Sequence, residues 1–170
     1  MFKAFLCLVI ILACGGLGMI KAQTYNQRLR ELTDLKDMIQ ILKTEMSYRK
    51  DPLPTAFTRI SAYKDNRAMD LLFECSKSMK ENLDFKQCWQ QAMREAYRGS
   101  ELKDEDRTIV EDLGLQLGKS DIQGQASMFA LAESRLNAQI DDAIKEKGTK
   151  GRMYRGMGFS IGIVIAVILI

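Results

Sequence analysis

The side chains best able to do chemistry in this chain are carboxylates. Glu101, Asp104, Glu105, Asp106, Glu111 and Asp112 crowd one short run. Such a cluster could bind a cation, or steer a basic partner onto the surface. The run lacks an EF-hand pattern, and acidic residues in the first turns of a helix complement its macrodipole, so a solvated helix start is the simpler account. The chain has no histidine, which removes the common general base near neutral pH and the usual partner of a serine or cysteine nucleophile. Cys75 and Cys88 lie in the middle of the chain, Cys7 and Cys14 near its start. There is no C-x-x-C, and no histidine to complete a zinc site. Cys75 and Cys88 read as free, buried thiols. "GLGKSD" lacks the spacing of a phosphate loop, and Gly118 is better read as a helix stop. Carboxylate-based hydrolysis has no spacing to recommend it. No catalytic residue, metal, cofactor or small-molecule substrate is expected. With 25 basic and 22 acidic residues, nucleic acid is not an expected partner either.

Helices must position these groups. Leu32, Leu35, Ile39, Leu42 and Met46 step by three and four, with Tyr25 and Leu29 leading in, which predicts an amphipathic helix over about 24–48. "DPLPTAF" interrupts it, because Pro52 and Pro54 lack backbone donors and push their predecessors away from helix. Pro54 suits the first turn of a second helix carrying Phe57, Ile60 and Tyr63. A third helix, about 67–81, turns Met69, Leu72, Phe73 and Met79 inward. Asp84 is placed to cap a fourth, with Phe85, Cys88, Trp89, Ala92, Met93 and Ala96 inward. Trp89, the single tryptophan, reads as a buried anchor. Methionines such as Met38, Met69 and Met128 read as core filler. Arg98-Gly99-Ser100 closes the fourth helix. "ELKDEDRTIVEDLGLQLG" makes a fifth, with Ile109, Val110, Leu113 and Leu117 apolar. Ser120 and Gln123 have capping-box spacing before a long sixth helix, about 121–147, with Ile122, Phe129, Ala132, Leu136, Ile140 and Ile144 in its stripe, and "KGTKG" then links it to the second apolar end. Short connections imply antiparallel neighbours. Helices one and six should pair, and helices two to five should form two hairpins against them.

The ends are apolar. Ala4 to Ile20 is a charge-free run of 17 residues, and Met157 to Ile170 is another of 14. At about 1.5 Å per residue both are short of a hydrocarbon core of about 30 Å. Interfacial Met153 and Tyr154 and a snorkelling Arg155 would lengthen the second. The expectation is an all-α protein in which transmembrane helices at 1–20 and 153–170 flank a six-helix antiparallel bundle at 21–152. Lys21, Arg28, Arg30, Lys145, Lys147, Lys150, Arg152 and Arg155 beside the spans place that bundle in the cytosol, with both termini across the membrane. Two rival readings would export the bundle: a cleaved secretory signal, or a lipoprotein signal at Ile11-Leu12-Ala13-Cys14. Gly158, Gly162 and Ala166 recur every four residues and allow close helix approach. Gly15 and Gly18 make the first span a natural partner, and an intermolecular contact is equally allowed.

Two stretches, "TEMSYRKDPLPTAFTRI" and "LGKSDIQGQ", together with the plan of apolar ends around a helical domain, resemble the stage III sporulation protein AB family. More distantly, the domain is similar in architecture to the inner-membrane platform protein of type II secretion systems. The resemblance implies a non-enzymatic scaffold in the mother-cell membrane around the forespore. Its soluble domain would face the mother-cell cytoplasm. Implied partners are other membrane proteins of the sporulation channel, membrane lipid, and a cytosolic secretion-type ATPase encoded by the same operon. Glu45, Ser47, Tyr48, Pro52, Leu53, Pro54, Ala56 and Ile60 match the first stretch. Leu117, Gly118, Ser120, Asp121, Gly124 and Gln125 match the second. Turn-setting and capping compete with partner contact as the reason for them. The candidate partner interface comprises Glu45, Tyr48, Pro52, Leu53, Pro54, Gly118, Ser120, Asp121 and Gln125, with Glu101, Asp104, Glu105 and Asp106. An exported, membrane-tethered binding or signalling protein is the alternative.

Overall fold

The computed structural model describes residues 2–48, 51–80, 84–117 and 122–169, without the side chains at 2–8, 11, 122–123, 159 and 168–169. Six helices follow in order among these residues, with no strand: α1 Phe2–Tyr48, α2 Leu53–Ser61, α3 Arg67–Met79, α4 Phe85–Ala96, α5 Asp104–Leu117 and α6 Ile122–Leu169. The protein is all-α, as the periodicity predicts.

The starts and stops have local causes. Pro52 stands before α2, where its carbonyl accepts from Thr55 and Ala56 at 3.0 and 3.1 Å. Asn66 caps α3: its side chain accepts from the Met69 N–H at 3.0 Å, one of the donors that a helix start leaves open. Asp84 occupies the cap position of α4 but makes no side-chain cap bond. Gly99 takes φ +66° in the turn after α4, a conformation glycine adopts without steric cost.

The chain divides into two compact units, residues 30–140 and residues 1–29 with 141–170. The first has a core drawn from all six helices. Leu32, Leu35, Met38, Ile39 and Leu42 are buried on α1, Phe57 and Ile60 on α2, and Met69, Leu71, Leu72 and Cys75 on α3. Cys88 and Trp89 on α4, Val110 and Leu113 on α5, and Phe129 and Leu136 on α6 complete it. Burying each large apolar side chain contributes about 1.5–3 kcal/mol. Neighbouring helices pack in series, α2 on α3, α3 on α4 and α4 on α5. The α2–α3 and α4–α5 hairpins expected from loop lengths are both present, and an α3–α4 contact joins them. Phe73, predicted to face inward, is exposed, as are Tyr63 and Ile144. On α3 the buried set Ala68, Met69, Leu71, Leu72, Cys75 and Ser76 turns Phe73 to the outer face.

In the second unit, the N-terminal part of α1 and the C-terminal part of α6 run antiparallel. Arg28 pairs with Glu146 at 2.9 Å, Tyr25 stacks on Tyr154 with ring centroids 6.1 Å apart, and Gly18 meets Gly158. Residue numbers rise along one helix as they fall along the other.

Two expectations need correction. "KGTKG" is no linker: α6 passes through it without a break. Its glycines cost about 1 kcal/mol each in a helix. The Thr149 hydroxyl bonds to the Lys145 carbonyl and Lys150 pairs with Glu146 at 2.6 Å one turn back, which holds the helix there. The transmembrane helices expected at 1–20 and 153–170 are also unsupported: among the described residues no helix is long and apolar enough to cross a membrane. The charge-free runs of 17 and 14 residues are continuous with polar helix at Lys21 and Arg155.

Candidate functional site

The first signature stretch forms a turn braced by one cation. α1 ends at Tyr48 and α2 begins at Leu53. Arg59 on α2 donates to Asp51 Oδ2 at 2.8 Å and also to the Glu45 carboxylate. The guanidinium fork suits this two-sided role. Tyr63 lies 3.5 Å from Glu45 through its hydroxyl, and Lys64 reaches back to Asp34 on α1 at 2.5 Å. Both cations have their affinity for the proton raised by these carboxylates, Asp51 first for Arg59 and Asp34 for Lys64.

Beside this turn lies an open groove of about 370 Å³ lined by Gln40, Ile41, Thr44, Glu45 and Tyr63. Tyr48, one helical turn beyond Thr44 on α1, is 86 % exposed. Pro52 is exposed, while Leu53 and Pro54 are half-buried in the first turn of α2. The turn therefore presents two aromatic rings, Tyr48 and Tyr63, and holds Glu45 inside an ion-pair network. Arg59 escaped the sequence reading although it lies within the stretch, and Tyr63, expected in the apolar stripe of α2, is instead exposed beside Glu45. The available signal was a cation eight residues after Asp51 and fourteen after Glu45.

The acidic run divides by burial. Asp106 is 0 % exposed, and its carboxylate accepts the Lys103 N–H at 2.9 Å. This is the third-position half of a capping box, satisfying the first open donor of α5. Asp106 is thus unavailable to a partner. Glu101, Asp104 and Glu105 remain exposed. The Glu101 N–H donates to Glu31 at 3.2 Å, and Glu31 also faces Arg67 Nε at 3.4 Å. Asp112 pairs with Arg135 at 3.1 Å. No group of His, Cys, Asp and Glu among the described residues is placed to hold a metal ion.

In the second stretch, Gly118, Ser120 and Asp121 lie outside the described residues, so the predicted stop and capping box do too. Gln125 is half-buried on α6.

Gly114 is a further residue missed in the sequence. Trp89, 1 % exposed, lies against it and donates from Nε1 to the Val110 carbonyl at 3.1 Å. A Cβ at position 114 would sit 2.1 Å from that nitrogen. Burial pushes the Cys75 thiol up to about 12, helped by neighbouring Cys88. Tyr97 is buried with its hydroxyl unpartnered and its pKa raised, first by burial and then by Glu31 and Asp34.

In the other unit the small residues make a backbone contact. An added Cβ on Gly18 would lie 2.6 Å from the Tyr154 carbonyl, and one on Gly158 would lie 2.7 Å from that of Cys14. Gly15, Gly162 and Ala166 are buried.

The sequence model of the family described as stage III sporulation protein AB matches residues 3–170. The chain belongs to that family. Stage III sporulation protein AB of Bacillus subtilis (strain 168) is 25% identical over 170 residues, covering 99% of each chain. A solved structure of a stage III sporulation protein AB is similar at TM-score 0.67 and 25% identity, over 72% of this chain and 98% of that one. Membership of the stage III sporulation protein AB family makes this chain a sporulation component.

Proposed function

We propose that the chain is a non-enzymatic platform of the sporulation channel complex between mother cell and forespore. Its helical body docks the cytosolic secretion-type ATPase of the same operon. Its apolar ends, 1–20 and 153–170, engage the mother-cell membrane around the forespore and the other membrane proteins of the complex. The body at 21–152 lies on the cytoplasmic side, because the basic residues cluster beside those ends. The observation that carries the docking role is the braced turn. Exposed Tyr63 lines a groove of about 370 Å³, and exposed Tyr48 lies one helical turn beyond Thr44 of its lining. Aromatic side chains of this kind are enriched among the residues that dominate binding energy. Exposed Glu101, Asp104 and Glu105 supply a second, electrostatic contribution that sets association rate more than affinity.

The test is capture of the ATPase by the full chain reconstituted in membrane. Tyr48→Ala with Tyr63→Ala should weaken capture at least about tenfold, since a hot-spot truncation costs about 2 kcal/mol. Glu101→Lys with Glu105→Lys should slow association and flatten its salt dependence. Absence of binding by the unaltered chain refutes the proposal.

A further inference from the structure

The unit formed by residues 1–29 and 141–170 carries a groove that the platform role leaves unused. It measures about 400 Å³ and is lined by Cys14, Leu17, Gly18, Lys21, Tyr154, Met157, Gly158 and Ile161. That volume lies within the about 300–1,000 Å³ typical of small-molecule sites. Its existence follows from the glycine contact. With Gly18 and Gly158 at backbone distance, the helices touch without side chains between them, and the larger residues on either side stand as walls. Leu17, Met157 and Ile161 are exposed, so the walls are apolar surface left uncovered. Such surface in a rimmed cleft marks an interaction site.

The charge around it selects the occupant. Among the described residues, Lys21 is the one charged residue in the lining. The whole unit holds eight lysines and arginines against three acidic residues, Asp141, Asp142 and Glu146. Two of those acids are already engaged: Asp142 with Lys145 at 3.7 Å, and Glu146 with Arg28 and Lys150. Among the described residues, Lys21, Lys147, Arg152 and Arg155 have no ion pair of their own. An apolar channel ending at a lysine, in a unit with surplus positive charge, complements a molecule with a hydrocarbon chain and an anionic head.

We propose that this groove binds one anionic phospholipid, its acyl chain along Leu17, Met157 and Ile161 and its phosphate at Lys21. The inference rests on the membrane engagement proposed above. It adds headgroup selectivity at a defined place. It also explains how apolar runs shorter than a bilayer core can still hold the chain at a membrane: one lipid fills the cleft between the helices, and its head neutralises a cation that would otherwise sit beside apolar surface.

The test is co-flotation of the full chain with vesicles of phosphatidylcholine alone and of phosphatidylcholine mixed with phosphatidylglycerol. The unaltered chain should prefer the mixed vesicles. Lys21→Gln should weaken that binding about fivefold, the value of one basic residue near an anionic surface, and leave binding to phosphatidylcholine unchanged. Ile161→Asp, on an exposed wall, should abolish the preference. Lys147→Gln, an exposed cation outside the lining, should have less than half the effect of Lys21→Gln. Equal losses from Lys21→Gln and Lys147→Gln would overturn the groove in favour of diffuse surface attraction. Equal binding to both vesicle types overturns it with membrane engagement intact. Failure to float with either type refutes membrane engagement itself.

Discussion

Replacing Gly114 with alanine should destabilise the protein, although helix propensity alone favours the change by about 1 kcal/mol. The new methyl would stand 2.1 Å from Trp89 Nε1 and 2.3 Å from two further ring carbons. The ring cannot retreat freely. Phe57 and Phe85 hold it on other sides with centroids 6.0 Å away, and its N–H is tied to the Val110 carbonyl at 3.1 Å. Overpacking of a dense core costs about 1–3 kcal/mol. Pulling the indole off Val110 leaves a buried donor and acceptor unpaired, which costs about 1–3 kcal/mol more. After the propensity gain the net loss centres near about 3 kcal/mol. Urea denaturation followed by far-ultraviolet circular dichroism measures it, and the emission of the single tryptophan should shift in the native state. A cycle with Trp89→Phe isolates the cause. In the Trp89→Phe background, Gly114→Ala should lose most of its penalty, a coupling of about 2 kcal/mol. A Gly114→Ala chain as stable as the parent, or an unchanged penalty in the cycle, would refute the steric reasoning.

Two further outcomes follow from buried polar groups. Asp106→Ala should cost about 1–2 kcal/mol in the same denaturation assay, because it removes a buried cap on α5, whereas Glu105→Lys on the exposed face should stay within about 0.5 kcal/mol. Stability should fall as pH rises from about 9 toward 12. Cys75 is held protonated to about 12 in the folded chain against 9.0 when unfolded, and Tyr97 is likewise held protonated above its ordinary 10.0. The unfolded chain therefore binds fewer protons, and each group contributes a slope of about −1.4 kcal/mol per pH unit once the pH passes its unfolded value, 9.0 for Cys75 and 10.0 for Tyr97. Urea midpoints at successive alkaline pH values check this, and a flat profile would contradict the burial of both groups.

The parts of this molecule legible in the sequence are those governed by local periodicity. Leu32, Leu35, Ile39 and Leu42 mark the buried stripe of α1 because a helix repeats every three to four residues. Pro54 and Gly99 mark a start and a turn because their backbones restrict or free φ. The misread parts depend on partners far along the chain. Gly114 lies in an apolar stripe and reads as a weak spot in a helix until Trp89 is known to rest on it. Asp106 belongs by composition to a solvated acidic run, yet its position three residues after the cap turns it inward. Glu31 sits on the polar side of the α1 pattern but is buried against the Glu101 N–H, 70 residues away in sequence. Arg28 and Glu146 are 118 residues apart; only the antiparallel pairing of the two long helices makes them neighbours. "KGTKG" misled because glycine content signals a break, while the continuing helix on both sides and the Lys150–Glu146 pair outweigh it.

The division of charge bears on how so short a pair of apolar runs could hold a membrane. Residues 30–140 carry 17 basic and 19 acidic side chains, so the net positive charge of the chain comes from the other unit, with eight against three. Four cations there lack ion pairs among the described residues. If each is worth about 1 kcal/mol beside an anionic leaflet, they add about 4 kcal/mol to whatever the apolar surface contributes. That sum is comparable to burying two large apolar side chains. The attraction decays within a Debye length of about 8 Å at physiological salt, whereas burial of Leu17, Met157 and Ile161 does not respond to salt in this way. Hydrophobic contact alone would be indifferent to headgroup, and charge alone would be released by salt. Their coincidence at Lys21, one turn from Leu17 and beside Tyr154, is what gives this end of the protein a reason to select one class of lipid.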